Sequence, residues 1–115
     1  MKSGYLFIET HHERPGFVRL GLMDTLAGDT PDASMPKRLR YVARFNDSEA
    51  ALMHAHELLK RRLLDADSRL YRVPLEQAIA AAESLDLRHQ RVFIDPGISD
   101  AEHDLIDQLT GQFRS

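Results

Sequence analysis

The chain has no cysteine among its 115 residues, which excludes disulfide bonds, thiolate zinc sites and a cysteine nucleophile. No apolar run approaches the roughly 20 residues that a membrane-spanning helix needs. Residues 1–4 lead into a strand-like segment without a signal-peptide core. We therefore expect a cytoplasmic protein with no membrane partner. The sequence also lacks a glycine-rich phosphate loop and a Gly-x-Ser-x-Gly elbow, so the enzyme classes built on them have no support.

The net charge of −3 argues against a dedicated high-affinity nucleic-acid binder, because such proteins neutralise several phosphates. The charge is uneven, however: residues 37–72 carry nine basic and five acidic side chains. A basic segment of this size is also typical of ordinary solvated surface. The candidate nucleic-acid-binding residues in it are Arg38, Arg40, Arg44, Lys60, Arg61 and Arg62.

Alternating apolar residues and turn residues predict a β-hairpin at the start of the chain. Residues 5–8 and 17–22 are short β-rich apolar runs, and Pro15-Gly16 between them favours a turn. A loop is predicted from Asp24 to Pro36, with one helical turn at residues 23–27. Residues 38–45 predict a third strand that has apolar side chains on one face and three arginines on the other.

Capping residues and helical spacing predict the elements of the second half. Asn46, with Glu49 three residues later, predicts the start of a helix. Its apolar stripe comprises Leu52, Ala55, His56, Leu59 and Leu63. Residues 69–73 predict a fourth strand, Pro74 the first position of a second helix, and residues 90–94 a fifth strand. Ser99 and Glu102 predict a capping box that opens the last helix.

The order β-β-loop-β-α-β-α, followed by β-α, predicts an α/β (α+β) protein. Because two strands open the chain without an intervening helix, a small mixed or antiparallel sheet with helices packed on it fits better than a doubly wound parallel sheet. We expect one domain over residues 1–115, with a core at about residues 4–85 and a C-terminal β-α extension at residues 86–115.

Four segments in this order resemble the GIY-YIG nuclease superfamily, in its small phage and bacterial branch. Residues 4–8 (GYLFI) and 15–21 (PGFVRLG) are similar to the first hairpin of the family. Residues 40–47 (RYVARFND) are similar to its third strand and the turn into the main helix, where His56-Glu57 falls at the place of a His-Glu pair. Residues 69–78 (RLYRVPLEQA) are similar to the segment that carries the metal-binding glutamate.

The resemblance implies a nuclease mechanism with five components. One glutamate holds a divalent metal that stabilises the leaving oxygen, and a tyrosine or histidine activates the attacking water. A second tyrosine helps to orient that water, an arginine steadies the phosphate charge, and a basic face holds the DNA backbone.

Most of these components have no counterpart in this chain. Phe7 stands at the first tyrosine position and Arg19 at the second, and residues 22–36 contain no arginine or lysine. Arg69 stands at the glutamate position, where its charge would repel a metal ion. His56 and Tyr71 remain. Because His56 lies on an apolar stripe, the alternative to a catalytic role is that it is a hydrogen-bonded, partly buried residue of the core.

Three hypotheses follow. The first is a GIY-YIG-like domain that is catalytically inactive, has no cofactor, and binds nucleic acid or a protein. The second is an active endonuclease dependent on magnesium or manganese, whose candidate catalytic residues are His56, Tyr71, Tyr5 and Arg19 and whose metal ligand is Glu9 or Glu57. The third is an unrelated small α/β interaction domain. DNA and a protein are candidate partners, the latter including a second copy bound through the last helix.

Overall fold

The computed structural model describes residues 2–10, 16–24 and 38–114. Six strands and three helices lie within these ranges. The strands are β1 (Gly4–Thr10), β2 (Val18–Met23), β3 (Leu39–Phe45), β4 (Leu63–Asp65), β5 (Leu70–Tyr71) and β6 (His89–Ile94). The helices are α1 (Ser48–Leu59), α2 (Leu75–Glu83) and α3 (Asp100–Arg114), and a single 3₁₀ turn spans Lys60–Arg62.

The strands form one antiparallel sheet in the order β4-β5-β2-β1-β3-β6. The predicted hairpin lies at its centre, where β1 pairs with β2 from Tyr5 opposite Met23 to Thr10 opposite Val18. β6 extends the sheet beside β3, and the short β4–β5 ribbon forms the other edge. This arrangement confirms the predicted α+β class with an antiparallel sheet and packed helices.

One face of the sheet is buried beneath α1 and α2. Leu6 and Ile8 of β1, together with Tyr41 and Phe45 of β3, are completely buried there, as the alternation of apolar residues predicted. α3 packs against α2 and contributes Ile106 to the same hydrophobic cluster. The predicted core and the C-terminal extension therefore share one interior.

The first helix differs from its prediction at both ends. Asp47, not Asn46, is the N-cap, because its carboxylate accepts a hydrogen bond of 3.1 Å from the backbone N–H of Ala50. The helix ends at Leu59, and the chain tightens into the 3₁₀ turn. Leu63 was predicted on the helical stripe; instead it opens β4, where it lies opposite Tyr71.

The remaining elements differ from their predictions by small shifts. The predicted fourth strand shrinks to Leu70–Tyr71, because Arg69 adopts a left-handed backbone conformation with φ of 51° and belongs to the preceding turn. Pro74 is the N-cap of α2 rather than its first residue.

The capping box of α3 is confirmed: the Glu102 N–H donates to Ser99 Oγ, and the Ser99 N–H donates to Glu102 Oε1, both at 3.2 Å. The predicted helical turn at residues 23–27 lies outside the described residues apart from Met23, which closes β2.

Gly21 allows a close aromatic contact on the second face of the sheet, which faces away from α1 and α2. A Cβ atom at this position would collide with the Phe7 ring, which lies against the Gly21 backbone. The guanidinium of Arg19 stands 5.3 Å from the centre of the same ring. Gly21 is thus required for packing in this structure.

Candidate functional site

A cavity of about 450 Å³ lies between α1, the β4–β5 ribbon and the end of β2. Five apolar side chains line it, namely Leu22, Leu52, Met53, Leu63 and Ala66. Four polar side chains also line it, namely Glu49, His56, Arg69 and Tyr71. Apolar walls with a few polar groups are the usual composition of a small-ligand pocket.

His56 and Tyr71, the two candidate residues that the resemblance leaves in place, meet in this cavity. Nδ1 of His56 lies 2.7 Å from the Tyr71 hydroxyl oxygen, and the two rings pack edge to face. His56 lies in the last turn of α1, on the same helical face as Leu52. Tyr71 is positioned by pairing between β2 and β4, opposite Val18 on one side and Leu63 on the other.

One tautomer of the pair keeps a hydrogen-bond donor for a third group. A neutral imidazole and a phenol together carry one N–H and one O–H, and their mutual hydrogen bond uses only one of them. If Tyr71 donates to Nδ1, the Nε2–H of the half-buried His56 stays available. If Nδ1–H donates to the tyrosine oxygen, the remaining O–H belongs to a tyrosine that is completely buried. The first tautomer therefore lets the pair donate, through His56, to an acceptor bound beside it.

Burial raises the pKa of the Tyr71 hydroxyl, and the nearby positive charge of Arg69 offsets that shift only in part. The phenol is therefore protonated at neutral pH. A general base must accept a proton near the working pH, so Tyr71 is unsuited to that role. It is well suited to donate a hydrogen bond or to orient His56.

Arg69 brings a permanent positive charge to the cavity. It ends the turn between β4 and β5, its N–H donates to the Ala66 carbonyl at 3.4 Å, and its carbonyl accepts from Leu20 N–H at 3.2 Å. Its φ of 51° is a left-handed conformation that glycine adopts without steric cost and other residues do not. A costly backbone conformation at a pocket is a feature of functional sites.

The acidic residues considered as metal ligands lie outside this cavity. The Glu9 carboxylate is on the second face of the sheet, where it accepts hydrogen bonds from Arg19 at 3.0 Å and Arg38 at 2.8 Å. Glu57 pairs with Lys60 at 2.9 Å and lines a different cavity of about 460 Å³ together with His54. The structure brings neither acid to His56 and Tyr71.

Tyr5 and Arg19, the other two candidate catalytic residues, share the second face of the sheet. Both alternate along their strands with fully buried residues that face the helices. The sheet therefore separates them from His56 and Tyr71. The structure does not bring the four residues into one site.

The cavity residues do not fit a divalent metal. Its polar lining has one carboxylate, Glu49, and the guanidinium of Arg69, whereas magnesium and manganese prefer several oxygen ligands and are repelled by a cation. Within residues 2–10, 16–24 and 38–114, no three histidine, aspartate or glutamate side chains converge to hold a metal ion. His11 and His12 lie outside the described residues.

The six predicted basic residues, together with Arg69 and Arg72, which were not predicted to bind nucleic acid, divide into two groups. Arg38 and Arg40 form ion pairs with Glu9 and Asp95, and Arg44 is exposed on the second face of the sheet. The other group precedes and includes the β4–β5 ribbon, beside the cavity. We call it the basic ribbon, and its exposed members are Lys60, Arg61, Arg62, Arg69 and Arg72.

From the sequence, Arg69 was identified only as the residue that replaces the metal-binding glutamate. Glu49 and Arg72 were not singled out for the site. The excess of positive charge in residues 37–72 was the signal that pointed toward Arg69 and Arg72. The placement of Arg69 in the cavity lining depends on the β4–β5 ribbon, and β4 was not predicted. Glu49 was identified only as a capping residue.

The elements together define an α+β protein: an antiparallel sheet with helices on one face and, toward one edge, a pocket that Glu49, His56, Arg69 and Tyr71 line. Within the described residues, no helix is long and apolar enough to cross a membrane. Comparisons with protein-family models, with curated proteins and with solved structures find no match to this chain.

Proposed function

We propose that this chain is a GIY-YIG-like domain that binds nucleic acid without cleaving it. One observation carries the proposal: Arg69 lines the cavity with His56 and Tyr71, at the position where the resemblance places the metal-binding glutamate. A guanidinium attracts a phosphate directly, through a planar fork of N–H donors that matches two phosphate oxygens. The substitution thus exchanges a metal-binding group for a phosphate-binding group.

The basic ribbon supports contact with a phosphate backbone. All five of its cations are exposed, and Asp65 and Asp67 are the acidic residues within the same stretch. Of the five, Lys60 is paired with Glu57, at the surface, where such a pair contributes little and is readily exchanged. Within the described residues, no salt bridge involves Arg61, Arg62, Arg69 or Arg72. Exposed cations of this kind along one edge are the electrostatic footprint of nucleic-acid binding, even on a protein of net negative charge.

The central hairpin favours this proposal over an unrelated small α/β interaction domain. β1 and β2 are adjacent and pair along six residues of each strand, with β3 on the other side of β1. The resemblance requires the adjacent hairpin, and a sheet without it would have argued against the resemblance.

Binding of labelled DNA and RNA oligonucleotides, followed by fluorescence anisotropy in EDTA, tests the proposal. We expect binding without metal, with an affinity that falls steeply as salt rises. Arg69→Gln should weaken it roughly tenfold, the loss expected for one charged hydrogen-bonding contact. Arg44→Gln is the matched control, because it removes the same charge from the second face of the sheet. Absence of binding at low salt, or equal losses in both variants, would contradict the proposed site.

A second candidate function, an active nuclease, is favoured by the 2.7 Å contact between His56 and Tyr71. A histidine held by a tyrosine is a reasonable proton acceptor. The mismatch between the cavity residues and a metal ion counts against it. Metal-dependent cleavage by the unmodified chain, lost in His56→Ala, would favour this candidate over the first.

A partnership with protein remains the alternative to nucleic acid, including a homodimer through α3. In that helix Ile106 is buried, whereas Leu105 is 42% exposed. Sedimentation of the unmodified chain beside Leu105→Glu tests the homodimer. A dimer that the substitution dissociates would support it.

A further inference from the structure

We infer that the cavity binds the terminal phosphate monoester of a single nucleotide, such as a phosphorylated strand end, in preference to an internal phosphodiester. This inference deepens the proposed function and rests on it, since it specifies which part of a nucleic acid enters the cavity. It is carried by the shape of the cavity, by the polarity along α1, and by the number of donors at one end.

The shape of the cavity suits a nucleotide better than a continuous backbone. A duplex backbone is held by an exposed cationic surface, whereas this site is a recess of about 450 Å³. That volume lies within the range of roughly 300–1,000 Å³ that small-ligand pockets occupy. Leu22, Leu52 and Met53 give it an apolar wall, and Met53 is 62% exposed. A nucleobase can pack against such a wall, and a phosphate gains nothing from it.

The polar groups divide between the two ends of the cavity. Glu49 lies in the first turn of α1 and His56 in the last. Seven residues of helix separate them by about 10 Å along one face. Arg69 belongs to the His56 end, because its charge acts on the neighbouring Tyr71. The Glu49 carboxylate repels a phosphate, but it can accept hydrogen bonds from a base amino group or from ribose hydroxyls. The phosphate therefore lies at the Arg69 end and the nucleoside toward Glu49.

The number of hydrogen-bond donors at the Arg69 end of the cavity matches the number of free phosphate oxygens in a terminal monoester. The guanidinium fork of Arg69 can take two phosphate oxygens, and the free donor of the His56–Tyr71 pair can take a third. A terminal monoester has three such oxygens and a charge of about −1.5 to −2 at neutral pH. An internal diester has two non-bridging oxygens and one charge, so it offers these donors one oxygen fewer and less negative charge than a monoester.

The experiment compares single-stranded oligonucleotides of one sequence that carry a 5′-phosphate, a 3′-phosphate or no terminal phosphate, each with an internal fluorescent label and in EDTA. We expect one phosphorylated form to bind roughly tenfold more tightly than the unphosphorylated form. Arg69→Gln should abolish that ratio. Arg72→Gln, the matched variant on the same ribbon, should weaken all three strands and leave the ratio unchanged.

The outcomes separate this inference from the proposed function. Equal affinity for all three strands overturns the inference and leaves nucleic-acid binding intact. Displacement of the labelled strand by adenosine monophosphate but not by inorganic phosphate supports the nucleotide site. Equal displacement of the strand by both compounds overturns the part of the inference that concerns the nucleoside. If no strand binds but adenosine monophosphate does, the nucleotide site is confirmed and the proposed binding of nucleic acid is contradicted. If neither a strand nor adenosine monophosphate binds, the inference and the proposed function are both contradicted.

Discussion

Nδ1 of His56 lies 2.7 Å from the hydroxyl oxygen of Tyr71, and this contact joins the last turn of α1 to strand β5. β5 is a two-residue strand near the edge of the sheet, paired with the three-residue strand β4. So short a ribbon has few backbone hydrogen bonds of its own. The side-chain contact therefore helps to hold the ribbon, and with it Arg69, against the helix.

We expect Tyr71→Phe to lower the free energy of unfolding by about 1 kcal/mol, the net value of one hydrogen bond. The ring remains and continues to pack in the core, so the change isolates the hydroxyl. Chemical denaturation of Tyr71→Phe, His56→Ala and the double variant measures the coupling between the two residues. Additive losses in the double variant would show that the contact contributes nothing to stability.

We expect Arg69→Gly to be more stable than Arg69→Ala by about 1 kcal/mol, because only glycine adopts a φ of 51° without steric cost. Both variants remove the guanidinium, so the difference between them reports the backbone alone. Thermal unfolding measures it. Both should also lose oligonucleotide affinity to the same extent, which separates the binding role of the side chain from the backbone strain. A glycine variant no more stable than the alanine variant would show that the turn holds no such strain.

Plasmid nicking with magnesium and with manganese tests whether the Arg69 position prevents cleavage. We expect the unmodified chain to show none and Arg69→Glu to gain weak cleavage, because the substitution places a carboxylate in the cavity with His56 and Tyr71, at the position where the resemblance places the metal-binding glutamate. Arg72→Glu is the matched control, since it makes the same charge change on the ribbon outside the cavity lining. Cleavage by the unmodified chain that His56→Ala abolishes would instead favour the active nuclease.

Local patterns predicted much of the fold because the interactions behind them are local. The capping box of Ser99 and Glu102 was predicted correctly, since its hydrogen bonds span three residues. Asn46 and Asp47 are both good N-caps, and only the carboxylate geometry distinguishes them. β4 was missed because Leu63 continues the apolar spacing of α1. Its strand conformation depends on pairing with Tyr71, a tertiary contact that no window of sequence contains.

The candidate site was predictable in its parts but not in its assembly. His56 and Tyr71 were identified from the resemblance, and the structure brings them together. Tyr5 and Arg19 were grouped with them, yet strand alternation places both on the second face of the sheet. The role of Arg69 in the cavity depends on the left-handed turn, which an arginine gives no reason to expect.

A polar cluster around the buried Tyr41, toward the opposite edge of the sheet, makes stability sensitive to alkaline pH. Tyr41 is completely buried, and its hydroxyl donates to Glu83 Oε2 at 3.0 Å. Arg91 holds the same carboxylate through two hydrogen bonds of 2.8 and 2.6 Å. Burial is the main cause of a strongly raised Tyr41 pKa, and the charge of Glu83 adds to it.

Because the folded state raises the Tyr41 pKa above its unfolded value of 10.0, folding retains the phenolic proton. The associated stability is fully present below pH 10.0 and is lost as the pH rises above it. Tyr71 shifts in the same direction and adds to the loss. We expect Tyr41→Phe to be less stable at pH 7, by about 1 kcal/mol for the lost hydrogen bond, and to lose less stability between neutral and alkaline pH. Denaturant unfolding across that range measures both. A variant that loses as much stability as the unmodified chain would show that Tyr41 does not control the alkaline transition.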